Sequence, residues 1–522
     1  MDHGRDTGGA PGPGPTPGPL AALLRRRAAP GRSALGALGG LVLVAAASGV
    51  AWCGWSGGPS PRGAPPSIAV LAFTDLSPQQ DQVHLADGVA GEILNALSRI
   101  EGLKVIGRSS SFSFKGKGVE SAEIGRRLNV TSLLEGSVRR DGNRLRITAE
   151  LVQAASGSRL WSRNFDRDLG ATFSMQEEIA REVAAALRPR LLQPASTPRA
   201  PRPEVYTQYL LARQIRDQAR TRADLARATA AFQLLTAMDS GFAPGWASLA
   251  LLQGNEAFRH PPRSPARLKS LDEAWEASSR AITLAPELGD GYSARAYLRI
   301  ARDRDWAGAL ADLEEALRLS PSHVGSMARR GVVLLAMGRQ AEGLRALWSV
   351  VELEPLAAQG WSMLAFALLN AGDPAGARGA ATRSAELEPG AADAEPLLLL
   401  ADLAQGQAQR VLDAAAQLED EQQRLFLTTL AEHALGHREA AGASLARFTD
   451  RFGATEPGEV AKAQAWCGNA DQAFAAIERW IEQDLARPGG YVAVLRADQL
   501  LGRLHADRRW NQVLQRLNLP VD

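Results

Sequence analysis

A 34-residue period in the second half of the chain constrains its fold more than any other feature of the sequence. Pro286, Pro321, Pro355 and Pro389 end the phrases ITLAP, LRLSP, VELEP and AELEP, with spacings of 35, 34 and 34 residues. Proline cannot donate the next backbone hydrogen bond, so each of these prolines is expected to follow the end of a helix. A fixed period of this length indicates stacked helical units that bury a continuous core between neighbours.

Other residues recur at fixed positions within the same period. Gly338 and Gly372 lie where two helices of one unit would meet in a turn, and Trp246 and Trp361 occupy the bulky position of the first helix. The period and these positions together resemble the tetratricopeptide (TPR) repeat family. The resemblance implies an all-α TPR solenoid over 204–522, with about seven units and C-terminal capping helices.

In such arrays the first helices of the pairs line a concave surface, and that surface binds partners. Exposed polar residues on the first helices are therefore the candidate partner-binding residues. Arginine suits an acidic peptide because a guanidinium group can bond a carboxylate through two parallel hydrogen bonds. The candidates are Arg295, Arg299, Arg329, Arg330, Gln359 and Asn370.

The segment 67–192 carries a different pattern, in which apolar runs of strand length alternate with helical periodicity. Asp141, Gly142 and Asn143 separate two alternating runs, and this turn composition strongly predicts a β-hairpin. The pattern predicts a small α/β domain. Its strands are expected at 67–73, 103–107, 130–139, 144–153 and 159–166, and its longest helices at 85–100 and 172–191.

The phrases SIAVLAFTDLSP and LLEGSVRRDGNRLRITAELVQAASGSRLWSRNFDRDL make this domain resemble the TolB N-terminal-like domain. In CadC-type bacterial regulators and adenylate cyclase-type signalling proteins, that domain commonly precedes TPR repeats. A winged-helix DNA-binding domain or a nucleotide cyclase often precedes it in those relatives. Here only roughly 30 residues precede the apolar stretch that begins at residue 34, too few for either effector.

The N-terminal region predicts a membrane anchor. Residues 1–33 are rich in glycine and proline and are expected to be a disordered cytoplasmic segment, and 34–55 is an uncharged apolar stretch long enough for a transmembrane helix. Arginines on the N-terminal side would keep that side cytoplasmic, which predicts a single-pass bacterial inner-membrane protein with its bulk in the periplasm. A cleaved signal peptide, a lipoprotein signal at Cys53 and a buried soluble helix are the alternatives. Residues 56–66 and 193–203 are expected to be linkers.

One loop of the α/β domain has a composition suited to an anion. Hydroxyl groups, cations and free backbone donors after a strand can hold an oxyanion. The alternation of Phe112 and Phe114 favours another interpretation, a short edge strand pinned to the core. The candidate anion-binding residues are Arg108, Ser109, Ser110, Lys115 and Lys117.

The sequence contains no Walker loop, nucleophile elbow or zinc-protease helix, so we expect no enzymatic activity and no cofactor. His433 and His437 are four residues apart, but no further ligand is fixed near them, and no metal site is expected. A net charge of +2, from 59 basic and 57 acidic residues, argues against nucleic-acid binding. The function expected is a membrane-anchored protein-binding scaffold or sensor. The alternative is a signal-transducing regulator whose effector is on another chain.

Overall fold

The computed structural model describes residues 66–521, apart from 80, 143, 169–171, 188–200, 220, 262–263, 391–393 and 485–494. The predicted disordered segment, the apolar stretch 34–55 and nearly all of the first linker lie outside the described residues. The α/β region and the helical array that follow belong to one unit.

A mixed sheet forms the core of the α/β region. Its strands in the described residues are β1 (Ser67–Val70), β2 (Thr74–Asp75), β3 (Lys104–Val105), β4 (Ser132–Asp141), β5 (Arg144–Gln153) and β6 (Arg159–Asp168). The sheet order is β3-β1-β4-β5-β6, with β2 beside β4. Strand β1 runs parallel to both of its neighbours, whereas β4, β5 and β6 form an antiparallel meander. The predicted hairpin and third meander strand are therefore confirmed.

Helices cover both faces of this sheet, and the alternation of side chains along β1 explains why. Ile68 and Val70 pack on one face in a single core cluster, while Ala69 between them packs on the other face with Ile124. Successive strand residues point to opposite faces, so a fully apolar strand needs cover on both. The helices are α1 (Val83–Ser98), α2 (Arg108–Phe112), α3 (Ser121–Leu128) and α4 (Thr172–Leu187).

Beyond residue 203 the described chain is a tetratricopeptide-like solenoid of antiparallel helix pairs. The pairs are α5 (Pro203–Gln218) with α6 (Arg222–Met238), α7 (Ala243–Ala257) with α8 (Pro265–Leu284), α9 (Gly289–Asp303) with α10 (Trp306–Leu319), α11 (Val324–Ala336) with α12 (Gln340–Leu353), α13 (Ala358–Asn370) with α14 (Pro374–Leu387), α15 (Ala394–Ala404) with α16 (Ala408–Ala415), α17 (Glu421–Leu435) with α18 (Arg438–Phe452), and α19 (Pro457–Trp466) with α20 (Ala470–Asp484).

The periodic residues lie where the repeat pattern predicts. Helices α10 and α12 end two residues before Pro321 and Pro355. Gly338 and Gly372 adopt φ of +79° and +78° in the turns inside their pairs, a conformation that glycine adopts without steric cost. The described residues hold eight pairs rather than about seven, because α5 and α6 form a pair that lacks the proline signature.

The α/β region and the start of the array share one hydrophobic core. Val89 and Ile93 of α1 belong to the same buried cluster as Tyr209, Leu210 and Phe232 of the first helix pair. Helix α1 packs directly against α5. Burial of this apolar surface holds the sheet region against one end of the solenoid.

A C-terminal segment returns across the turns of the array. It comprises a 3-10 helix (Gln499–Leu504) and helix α21 (Arg508–Arg516). The Trp306 indole Nε1 donates to the Leu517 carbonyl at 2.8 Å, and the backbone N–H of Gln499 donates to Asn370 Oδ1 at 3.1 Å. The segment therefore bridges the α9–α10 and α13–α14 pairs, which are not neighbours in the array.

The structure corrects the predicted location. A helix needs about 20 mostly apolar residues to cross a bilayer core. No helix of the described residues is both long and apolar enough for this. Among the helices of the described residues α8 is the longest, at 20 residues, and it carries Arg267, Lys269 and Arg280. This finding contradicts the predicted bacterial inner-membrane location with a periplasmic bulk, and that prediction is wrong. The stretch 34–55 that prompted it lies outside the described residues.

Candidate functional site

Two of the candidate partner-binding arginines form hydrogen bonds with a carboxylate of their own helix pair. Arg295 donates from Nε and Nη2 to the two oxygens of Asp312, at 2.9 and 2.6 Å, and Arg299 donates from Nε to the same carboxylate at 2.8 Å. Arg299 also bonds Asp305 at 2.5 Å. Asp312 is buried, so these bonds satisfy a carboxylate that burial would otherwise destabilise. The two arginines join α9 to α10.

The other candidates on the first helices have different environments. Arg330 is half-buried, and its nearest carboxylate in the described part of the chain, on Glu314, lies 4.0 Å away. Gln359 is exposed at the start of α13. Asn370 at the end of α13 accepts the bond from the Gln499 backbone, so the C-terminal segment covers its carboxamide oxygen.

The candidate anion-binding loop contains a helix instead of the predicted edge strand. Helix α2 spans Arg108–Phe112, so the alternation of Phe112 and Phe114 did not indicate a strand. Phe114 is buried in the cluster that contains Ala69 and Ile124, and Phe112 packs beside the cluster on the opposite face of the sheet. The edge-strand interpretation is wrong because the end of α2 and the turn after it also direct these two side chains to different cores.

The backbone donors of this loop bind an anion that the chain itself supplies. The Ser109 and Ser110 amides donate to the Glu354 carboxylate at 3.1 and 2.7 Å. The Gly107 amide donates to the Leu353 carbonyl at 2.8 Å, and a Cβ at Gly107 would collide with the Glu354 side chain. Burial raises the pKa of Glu354. Free amides at a helix start favour an anion, and here that anion comes from the end of α12.

The cations of the loop face other acidic residues. Lys115 Nζ lies 2.6 Å from an oxygen of Asp87, and the Arg108 guanidinium pairs with Asp217 on α5. Arg108 also lies over the Phe112 ring, 4.7 Å from its centroid. Lys117 is exposed. The structure therefore brings Ser109, Ser110 and Arg108 to the contact between the sheet region and the array, and leaves the lysines outside it.

The space between α1 and the first helices of the array contains a polar cavity of about 250 Å³. A neighbouring cavity of about 270 Å³ shares several of its lining residues, Asn95 and Tyr209 among them. We refer to the first cavity as the arginine chamber. Its charged and hydroxyl-bearing walls include Arg213, Arg216, Asp290, Ser293, His323 and Arg329.

The arginines of the chamber differ in how they are neutralised. Arg213 forms a buried ion pair with Glu92 of α1, and burial lowers the pKa of Arg213 to about 10. Arg216 lies 2.9 Å from the carboxylate of Asp217. Arg329 donates to the Ser293 hydroxyl at 3.0 Å but has no ion-pair partner within 4.0 Å in the described part of the chain. Burial lowers the pKa of Arg329.

His323 and Asp290 form the other polar wall. His323 Nδ1 accepts from the backbone N–H of Ser326 at 3.1 Å, so the proton of a neutral ring is assigned to Nε2. Nε2 lies 3.5 Å from Asp290 Oδ1. Burial lowers the pKa of His323, which favours that neutral ring at physiological pH.

Sequence reasoning missed Glu354, Arg213 and His323. Glu354 and Glu388 occupy the same position in consecutive repeat phrases, VELEP and AELEP, so the sequence offers no signal that separates them. Only Glu354 reaches the sheet region. Of the two histidines four residues apart, His437 has its Nδ1 2.5 Å from the Glu432 carboxylate, and the described residues contain no group of three or more metal-ligand side chains.

Comparison with known proteins gives a partial match. No family model matches the chain. A protein described as putative adenylate cyclase 3, from Rhizobium meliloti (strain 1021), is 37% identical over 193 residues, which cover 36% of this chain and 33% of that relative. The chain thus spans about a third of the length of the curated relative it matches.

Solved structures that resemble parts of the chain include three helical proteins. Pseudomonas aeruginosa pilF is 16% identical, with 43% of this chain and 98% of that chain covered and a TM-score of 0.33. The type IV pilus biogenesis factor PilW is 16% identical, with 49% and 96% covered and a TM-score of 0.32. A TPR protein from Parabacteroides merdae ATCC 43184 is 12% identical, with 52% and 98% covered and a TM-score of 0.34.

Proposed function

We propose that the chain is a protein-binding scaffold whose solenoid docks a protein partner on its first-helix face. The observation that carries the proposal is that this face remains accessible at α11 and α13. Gln359 is exposed there, and Arg330 is half-buried with no carboxylate closer than 4.0 Å among the described residues. Arrays of this kind use their extended concave surface for binding.

The contact residues are a subset of the sequence candidates. Arg295 and Arg299 hold Asp312, and Asn370 holds the C-terminal segment, so these three serve the array itself. Arg329 lines the arginine chamber, and Arg330 and Gln359 remain for a partner. Met363 is half-buried one turn after Gln359 on the same side of α13, which adds an apolar contact.

We also propose how the α/β segment and the solenoid act together. We take 67–192 as a TolB N-terminal-like domain and 204–522 as the solenoid, in line with the family resemblance of the first segment. The Glu354 contact and the shared core tie the two together, so the domain is proposed to act as a fixed wall of the binding face rather than as a separate module.

A second candidate function is a signal-transducing regulator whose effector is on another chain. The match to the cyclase-named relative favours it, because the matched segment covers only 33% of that protein. An effector domain of such a relative would then lie outside the shared segment. In this case the docked partner would itself carry the effector.

Site-specific photocrosslinking in the native host tests the scaffold proposal. A photoreactive amino acid is placed at Gln359 or at Arg330, and as a matched control at Arg345, which is exposed on the second helix α12 of the same pair. One protein species of the same mass should crosslink from both first-helix positions and not from Arg345.

A charge reversal makes this test specific to the proposed surface. Arg330→Glu should weaken the crosslink formed from Gln359, whereas Arg345→Glu should leave it unchanged. Equal crosslinking from all three positions, or none from either first-helix position, would overturn the proposal. Mass spectrometry of the crosslinked species separates the two candidate functions, since the regulator requires a partner with a cyclase or DNA-binding effector.

A further inference from the structure

The arginine chamber is lined by Arg329, a cation without an ion-pair partner within 4.0 Å in the described residues. We propose that it binds a small anionic metabolite, which Arg329 recognises through a carboxylate or phosphate group. This proposal goes beyond the scaffold function and does not depend on it.

The distribution of ion pairs points to Arg329 as the anion ligand. Glu92 neutralises Arg213, and Asp217 is shared between Arg216 and Arg108. Two guanidinium groups on one carboxylate leave a positive excess beside the chamber. Arg329 adds a second cation, whose hydrogen bond goes to the Ser293 hydroxyl. Arginine in a partly desolvated site is well suited to hold an oxyanion through parallel hydrogen bonds.

The opposite wall indicates what else the ligand carries. Asp290 lines the chamber and faces the Nε2 proton of neutral His323. A carboxylate has lone pairs for more than one donor, so Asp290 can also accept from a ligand hydroxyl or ammonium group. The matching class is therefore a small molecule with an oxyanion at one end and a hydrogen-bond donor near it.

The size and position of the space favour a metabolite over a peptide. Cavities of about 250 and 270 Å³ that share lining residues are each just smaller than known small-molecule sites, which span roughly 300–1,000 Å³. The walls come from α1 on one side and from α5, α7, α9 and α11 on the other. A bound molecule would contact both the sheet region and the array.

Isothermal titration calorimetry on the full chain tests the proposal with two defined probes. L-malate supplies a carboxylate with a neighbouring hydroxyl, and glycerol 3-phosphate supplies a phosphate with hydroxyls. Sodium chloride at matched ionic strength is the blank. At least one probe should bind saturably, with a Kd of about 1 mM or tighter. The probe with the lower Kd shows whether the site prefers a carboxylate or a phosphate ligand.

Two neighbouring arginines provide the matched variants. Arg329→Gln should weaken binding of the preferred probe by about tenfold or more, whereas Arg330→Gln should leave it within about twofold. Arg330 is on the same helix but does not line the chamber. The proposal is overturned if neither probe binds the unmodified chain saturably, or if the two variants bind equally.

A space-filling variant protects the test against a folding defect in Arg329→Gln. A Cβ at Gly325 would lie 3.4 Å from His323 Cε1 and 3.6 Å from Arg329 Nη1, which are ordinary contacts. Gly325→Leu therefore places a larger side chain in the chamber, keeps every charge, and replaces a glycine in the first turn of α11 with a good helix former. We expect a melting temperature equal to or above that of the unmodified chain together with loss of probe binding. Unchanged binding in folded Gly325→Leu would contradict the chamber as the site.

Discussion

The Ser110 backbone amide donates to the Glu354 carboxylate at 2.7 Å, across 244 residues of sequence. This bond joins the first turn of α2 to the end of α12, and the Ser109 amide reinforces it. In the opposite direction the Leu356 amide donates to the Ser110 hydroxyl at 3.0 Å. The sheet region is thereby fixed at a second place along the array, well beyond its packing on the first helix pair.

The first prediction concerns removal of this carboxylate. Glu354→Ala leaves the buried Ser110 amide without its acceptor, and such losses destabilise by about 1–3 kcal/mol. Urea denaturation at neutral pH measures the free energy of unfolding. Glu388→Ala is the matched control, because Glu388 has the same position in the next repeat but is exposed. An equal effect of both substitutions would show that the contact adds no stability.

The second prediction concerns pH. Burial raises the pKa of Glu354 above its ordinary value of 4.5, so the folded chain keeps this proton to a higher pH than the unfolded chain. Between those two pKa values the folded state binds more protons, and stability falls as pH rises. The free energy of unfolding of the unmodified chain should therefore decline relative to Glu354→Gln as pH rises from below 4.5 to neutrality. If the free energy of unfolding of the unmodified chain instead rises relative to that of Glu354→Gln over this range, folding lowers the pKa of Glu354 and the prediction is wrong.

The third prediction concerns the C-terminal segment. Trp306→Phe keeps a large ring in the core but removes the indole donor to the Leu517 carbonyl. We expect a loss of about 1 kcal/mol, the usual net contribution of a buried hydrogen bond. Trp348→Phe on an exposed helix surface should change stability by no more than about 0.5 kcal/mol. Thermal denaturation of both variants decides whether the returning segment is held by this bond.

The fourth prediction concerns the arginines that join α9 and α10. Asp312→Asn removes the charge that both Arg295 and Arg299 bond, so we expect a loss of about 1–3 kcal/mol. Glu314→Gln is the control, since Glu314 is exposed two residues away on the same helix. Chemical denaturation at low and high salt provides the readout. If Asp312→Asn is as stable as the unmodified chain, these arginines are free for a partner after all.

The repeat phase, the hairpin at Gly142 and the third meander strand were predicted from the sequence because local patterns define them. Proline stops a helix wherever it lies, and strand alternation repeats every two residues. The prediction at Phe112 failed for a related reason. Two aromatic residues with one residue between them fit a strand, yet Phe112 at the end of α2 and Phe114 in the turn after it pack against different clusters, and no local pattern distinguishes the two outcomes.

The sequence by itself determined a solenoid of paired helices after a small α/β domain, since both depend on periodicities within tens of residues. Only the tertiary structure determined which polar groups are bonded within the chain. The Ser110 amide bonds Glu354, and Arg295 and Arg299 bond Asp312. Arg329 lies in a chamber without an ion-pair partner in the described residues. Such outcomes depend on contacts between residues far apart in the chain, and equivalent positions such as Glu354 and Glu388 carry the same local sequence signal.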